Sequence, residues 1–167
     1  QQPRLIFPGA FNPIHDGHIA MSELAQKELN EKVFFEICIQ NVDKPPLSYH
    51  QIKKTIDQFN SSQNWVLTKA GKFSDKARLF PNSSFIIGAD TLLRIFDERF
   101  YASRREMMEE FQIFNVNKNK FLVFGREYKN KFIELKDIQI PDPIKKLFRG
   151  FGENIFRKDV SSSTIRA

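Results

Sequence analysis

The chain is poor in cysteine, and its single thiol, Cys38, has no partner for an internal disulfide. A disulfide scaffold is therefore excluded, and a reducing, cytoplasmic setting is expected. Within VFFEICIQ, Cys38 reads as a buried core residue rather than a nucleophile. Long hydrophobic runs are missing too. None exceeds the length of a strand, so no membrane span is expected, and no signal peptide is visible. Zinc-finger spacing, a G-x-x-x-x-G-K-[ST] loop and a G-x-S-x-G elbow are all absent. Those absences remove a structural zinc module, a P-loop nucleotide site and a serine-hydrolase nucleophile.

What is present fits one globular domain spanning 1–167, with 41% hydrophobic residues to build a core. The first residue is Gln rather than Met, which leaves a longer parent chain open. Lys and Arg number 26 against 20 Asp and Glu, a net charge of +6. Such a surface favours phosphorylated partners. The basic residues are spread along the chain, and neither a basic tail nor an aromatic RNA-binding signature accompanies them. A small anionic ligand is thus at least as well supported as RNA, and a nucleic-acid partner is disfavoured. The charge leaves the oligomeric state open.

Strand-like and helix-like segments alternate. RLIF (4–7), VFFEICIQ (33–40), NWVLTK (64–69), SSFIIGAD (83–90), KFLVFGR (120–126), FIELKDIQI (132–140) and ENIFRKD (153–159) read as strands. GHIAMSELAQKELN (17–30), SYHQIKKTIDQF (48–59), SDKARLF (74–80), TLLRIF (91–96), SRREMMEEFQIF (103–114), PIKKLF (143–148) and VSSSTIR (160–166) read as helices or helical turns. Ser48 with Gln51 forms a capping-box pattern, and Ser74 is expected to cap the third helix. The alternation predicts an α/β fold, a Rossmann-like parallel sheet with helices on both faces. The ligand site of such a sheet lies at the carboxyl edge of its strands. Three segments should meet there: PGAFNPIHDGH, IIGADTL and RKDVSSSTIR.

The first of these places His15 and His18 three apart, between a Pro/Gly-rich loop and a helix start. Four readings compete: metal ligands, an acid/base pair, phosphate donors, or plain structure. No third His and no Cys pair completes a metal cage, so no protein-built metal site is expected. The start of a helix attracts anions through its free N–H groups.

G-A-F-N-P-I-H-D-G-H resembles the G-x-F-x-P-x-H-x-G-H signature of the nucleotidylyltransferase superfamily. V-S-S-S-T-I-R at Val160–Arg166 resembles its second motif, I-S-S-T-x-I-R. F-I-I-G-A-D-T-L-L-R-I, from Phe85 to Ile95, resembles the middle segment of nicotinamide and nicotinate mononucleotide adenylyltransferases. The three occur in the family's order and span residues 7 to 166. Two positions depart from the pattern: Ala10, where many members have Thr or Ser, and Ser163, where the pyridine-nucleotide enzymes usually have Thr.

The resemblance implies transfer of a nucleotidyl group, from ATP to nicotinamide or nicotinate mononucleotide, with release of pyrophosphate. Cytidylyl transfer, phosphopantetheine adenylylation and a non-catalytic nucleotide-binding domain are the alternatives. It implies that His18 and His15 donate to phosphate, helped by the N–H groups of the helix start, that Arg166 pairs with the leaving pyrophosphate, and that Lys44 lies near the phosphates. It implies nucleotide contacts at Gly9, Ala10, Phe11, Asn12, Gly17, Gly88, Asp90, Ser161, Ser162 and Ser163, a stacking role for Trp65, and a triphosphate contact for Arg126. Asp90 has a plainer alternative as the cap of its helix. Mg²⁺ is implied as a cofactor bound mainly through substrate phosphates.

Overall fold

The computed structural model describes residues 2–41 and 44–151 of the chain. Six strands, β1 (Leu5–Pro8), β2 (Val33–Cys38), β3 (Asn64–Thr68), β4 (Ser84–Gly88), β5 (Lys120–Phe124) and β8 (Phe148–Phe151), form one sheet in the order β3-β2-β1-β4-β5-β8. Every pairing in it is parallel. Helices α1 (Asp16–Leu29), α2 (Tyr49–Ile56), α3 (Phe73–Leu79), α4 (Ala89–Ile95) and α5 (Arg104–Val116) connect the strands. A separate antiparallel ribbon, β6 (Arg126–Tyr128) with β7 (Lys131–Ile133), follows β5.

The period of two along each strand sorts the core into two layers. Phe7, Phe35, Ile86, Leu122 and Phe124 face Met21 and Ala25 of α1. Ile6, Phe85, Ile87, Phe121 and Val123 face Ala77 of α3, Leu92 of α4 and Met107, Phe111 and Phe114 of α5. Helices therefore cover both faces, as the alternating pattern predicted. Among the described residues, no helix is long and apolar enough to cross a membrane.

Local chemistry sets the helix ends. Ser48 Oγ accepts from Gln51 N–H at 3.1 Å while Gln51 Oε1 accepts from Ser48 N–H at 2.8 Å, the reciprocal cap its sequence foretold. Ser103 caps α5 by one bond, its hydroxyl accepting from Glu106 N–H at 3.1 Å. Ser74 does not cap α3. The helix begins one residue earlier, after Lys72, and the Ser74 hydroxyl donates instead to Glu110 of α5.

Two segments depart from their expected structure. Residues 132–140 do not make one long strand. Only Lys131–Ile133 pairs, and the chain then turns through a short 3-10 segment at Leu135–Asp137. There Asp137 Oδ2 accepts from the Glu134 N–H at 2.9 Å and closes the turn, after a hairpin in which Lys129 and Asn130 both take left-handed φ (50° and 63°). The sixth sheet strand is instead Phe148–Phe151, a stretch whose first residue was expected to end a helical turn. Phe148 stacks on Phe121 at 5.0 Å and Phe151 on Phe124 at 4.6 Å, on opposite faces of the sheet. The expected strand 153–159 and helix 160–166 lie outside the described residues.

One buried polar cluster sits within the α3 side of the sheet. The Glu36 carboxylate of β2 is fully buried, and Lys76 of α3 is 5% exposed. Lys76 Nζ donates to both Glu36 oxygens at 2.9 Å and to the Ala70 carbonyl at 2.7 Å. Thr68 Oγ1 donates to the same carboxylate. The pair ties β2 to the turn that follows β3. Cys38, expected in the core, is only half-buried at the end of β2, where its thiol donates to the Gln40 carbonyl at 3.3 Å.

Candidate active site

β1 and β4 are neighbours, yet β1 continues to β2 on one side and β4 to β5 on the other. This is the topological switch of an open parallel sheet, and the crevice it leaves lies beyond the carboxyl ends of the strands. The loop from β1 to α1 crosses that edge. Gly9 N–H donates to the Glu36 carbonyl at 3.1 Å, which keeps the chain on the sheet for one residue more. A Cβ on Gly9 would stand 2.8 Å from the ring of Phe11, so glycine is required for packing. Phe11 then takes a left-handed φ of 47° and turns its ring into the core, where it is 2% exposed.

The loop delivers His15 to the N-cap of α1, with His18 at the third helical position. His15 Nδ1 accepts from Gly17 N–H at 3.1 Å and from His18 N–H at 3.4 Å, and His18 Nδ1 accepts from His15 N–H at 3.1 Å. The two imidazoles thus form a capping box of the kind usually built by Ser and Glu. Their rings stack at 3.7 Å, and that of His18 meets the Phe11 ring edge-on at 5.1 Å. An Nδ1 that accepts a hydrogen bond leaves the proton of a neutral imidazole on Nε2. Each ring is therefore an Nε2–H donor.

The surroundings hold both rings neutral. Burial first, then the neighbouring His15 and the charge of Arg126, lower the His18 pKa to about 3. Burial and Arg126 lower that of His15, with Asp16 opposing them. Arg126 follows the end of β5, and its side chain passes Gly88 at the end of β4. A Cβ on Gly88 would lie 3.0 Å from Arg126 Cγ and 2.5 Å from Asp90 Oδ1. Gly88, not Asp90, is the N-cap of α4, and Asp90 lies in its first turn.

The ends of β1, β4 and β5 therefore bring together His15, His18, Gly9, Gly17, Gly88, Asp90 and Arg126. Ala10 and Asn12 belong to the same loop and are exposed. Lys44 is exposed in the loop after β2. Some expected roles change. Phe11 offers a substrate only its backbone, because its ring is core. The N–H groups of Gly17 and His18 are already taken by His15, so the helix start is not the open set of donors expected there. Trp65 lies on the edge strand β3, paired with Phe35 and so level with Phe7 but two strands away from it, and is 42% exposed. Ser161, Ser162, Ser163 and Arg166 lie outside the described residues. No group of three or more His, Cys, Asp or Glu able to hold a metal occurs among the described residues.

Sequence reasoning missed Gln58, whose side chain binds the backbone at Phe11 and Ile14. Nothing in its local sequence marks it, since its partners lie 44 and 47 residues away.

The fold is thus an open parallel α/β sheet whose first βα turn presents two neutral imidazoles at its carboxyl edge. Residues 6–167 match the cytidylyltransferase-like family, and the chain belongs to it. Among solved structures it is similar to Plasmodium falciparum nicotinic acid mononucleotide adenylyltransferase complexed with NaAD, at 20% identity and a TM-score of 0.54. It is also similar to that enzyme complexed with APC, at 19% identity and a TM-score of 0.53. Each likeness covers 99% of this chain and 83% of the other. No curated protein sequence matches it.

Proposed function

We propose that the protein is an adenylyltransferase that joins ATP to nicotinate or nicotinamide mononucleotide. A phosphate oxygen of the acceptor attacks the α-phosphorus of ATP. The bond between the α-phosphorus and the bridging oxygen breaks, and pyrophosphate leaves with that electron pair. Both nucleophile and leaving group are competent, so the protein's task is alignment and charge stabilisation. The observation that carries the reading is the histidine capping box. It fixes two Nε2–H donors in one tautomer at the carboxyl edge of the sheet.

In this reading His18 and His15 donate to phosphoryl oxygens, and Arg126 adds a permanent positive charge beside them. Gly9, Ala10 and Asn12 border the nucleotide, and Gly88 leaves room for Asp90 to meet a ribose or the acceptor. Lys44 approaches the phosphates from the loop after β2. Ser161, Ser162, Ser163 and Arg166 hold the β- and γ-phosphates and the departing pyrophosphate. Mg²⁺ enters as part of the triphosphate substrate, bound through its phosphate oxygens and water. The family of the chain and the adenylyltransferase identity of the similar structures support this choice of chemistry.

The test is pyrophosphate release with Mg²⁺, pairing ATP or CTP with nicotinate mononucleotide, nicotinamide mononucleotide or phosphopantetheine. Turnover is expected with ATP and a pyridine mononucleotide, falling about 10²–10³-fold in His18→Ala, the usual loss for one transition-state donor. Turnover only with CTP or only with phosphopantetheine would replace the substrate assignment. ATP binding with no turnover for any pair would refute the enzymatic reading.

A further inference from the structure

Gln58 lies two residues beyond the end of α2 and reaches back to the loop that carries the histidines. Its amide nitrogen donates to the Phe11 carbonyl at 2.7 Å and to the Thr55 carbonyl at 3.0 Å. Its amide oxygen accepts from the Ile14 N–H at 2.8 Å. One side chain thus closes both ends of the segment 11–14, directly before the N-cap His15. Both loop partners are backbone groups, so the bonds fix the path of the chain rather than any side chain on it. The loop needs such a brace. Phe11 is a non-glycine residue at positive φ, a conformation that persists only where the surroundings impose it.

The neighbouring Phe59 completes the clamp. Its ring lies 6.1 Å from that of Phe11 and 5.0 Å from that of Phe35. Phe11 in turn packs against the His18 imidazole. Gln58 therefore fixes the backbone that enters the cap, and Phe59 packs against the ring that lies behind His18.

We infer that Gln58 is a positioning residue for the His15–His18 pair, holding the loop so that both imidazoles present Nε2–H to the substrate. Its kinetic consequence rests on the adenylyltransferase reading, whereas its effect on histidine geometry does not. The test substitutes Gln58→Met, which keeps the length and removes both hydrogen-bonding functions. Long-range ¹H–¹⁵N spectra of the imidazoles report tautomer directly, with no substrate present. The wild type is expected to show Nε2–H at both His15 and His18, and the variant a mixture of tautomers at one or both.

In the pyrophosphate assay kcat should fall about 10–100-fold, the usual effect of a small misplacement of catalytic groups. The KM for ATP should change less than about threefold, since few ground-state contacts are lost. In a His18→Ala background the same substitution should have less than about a threefold effect on kcat, because the reciprocal cap through which it acts is already broken. Gln58→Glu, which keeps the acceptor for Ile14 and loses the donor to Phe11, should give an intermediate loss and carries the test if the Met variant does not fold. Wild-type imidazole spectra and wild-type kcat in a folded variant, with only a lower melting temperature, would overturn the inference. Altered tautomers in a protein that turns over no substrate pair would uphold the positioning role and sink the enzymatic reading instead.

Discussion

The Lys76–Glu36 pair offers the sharpest energetic test of the fold. Lys76→Met removes an ammonium that makes three hydrogen bonds, at 2.9, 2.9 and 2.7 Å, and leaves the shaft of the side chain in place. Glu36 is fully buried, so its carboxylate would be left with only the Thr68 hydroxyl. Breaking a buried pair by removing one partner costs about 3–5 kcal/mol, against a typical domain stability of about 5–15 kcal/mol. In a domain of this size each kcal/mol moves Tm by about 2–4 °C, so a fall of roughly 6–20 °C is expected. Urea titration at pH 7, followed by circular dichroism, measures the loss as a lowered midpoint at constant slope. The double variant Glu36→Gln, Lys76→Met removes the stranded charge as well and should recover at least about half of that loss, because a buried pair gains little over a neutral replacement. A single-variant loss below about 1 kcal/mol, or a double variant no better than the single one, would refute the claim that charge burial governs this cluster.

Three other outcomes follow from the site. His18 should stay unprotonated down to about pH 3 by ¹⁵N chemical shift. An unfolded histidine takes up its proton near pH 6.5, so stability should fall as pH drops below that value, at up to about 1.4 kcal/mol per pH unit for this residue. A His18 titration midpoint near 6.5 in the folded protein would contradict the described burial. Gly88→Ala places a methyl group against Asp90 and Arg126; it should lower stability by about 1–3 kcal/mol and reduce nucleotide affinity, measured by calorimetry. Trp65→Ala, on the edge strand, should leave kcat/KM within about twofold of wild type, and a tenfold loss would return Trp65 to the site.

Much of this was legible because breakers and periods are local. Pro8, Gly9 and Pro13 marked the first βα loop, Ser48 with Gln51 marked the start of α2, and alternation of strands with helices implied the parallel sheet. What stayed hidden was set by contacts across the fold or by residues used unconventionally. Histidine is not a usual cap, so a helix start that holds its own donors read as one with donors to spare. Lys129 and Asn130 make a tight reversal without glycine, and the run after them looked like an uninterrupted strand. Phe148 and Phe151 joined the sheet through aromatic partners on β5, which no window around residue 148 contains. Trp65 looked available for stacking because it is aromatic and solitary, but it lies on the outermost strand of the sheet, two strands from the histidine loop.

The position of β1 has a consequence for the order of synthesis. It precedes every other strand of this sheet in the sequence, yet it lies inside the sheet, between β2 and a strand that begins only at Ser84. Until β4 has left the ribosome, one flank of β1 carries unpaired backbone groups, and the loop above it lacks both Gly88 and Arg126. The histidine turn can form its local cap during that interval, because the cap needs only residues 15–18. The charge of Arg126, which helps to hold His18 neutral, arrives later, after β5.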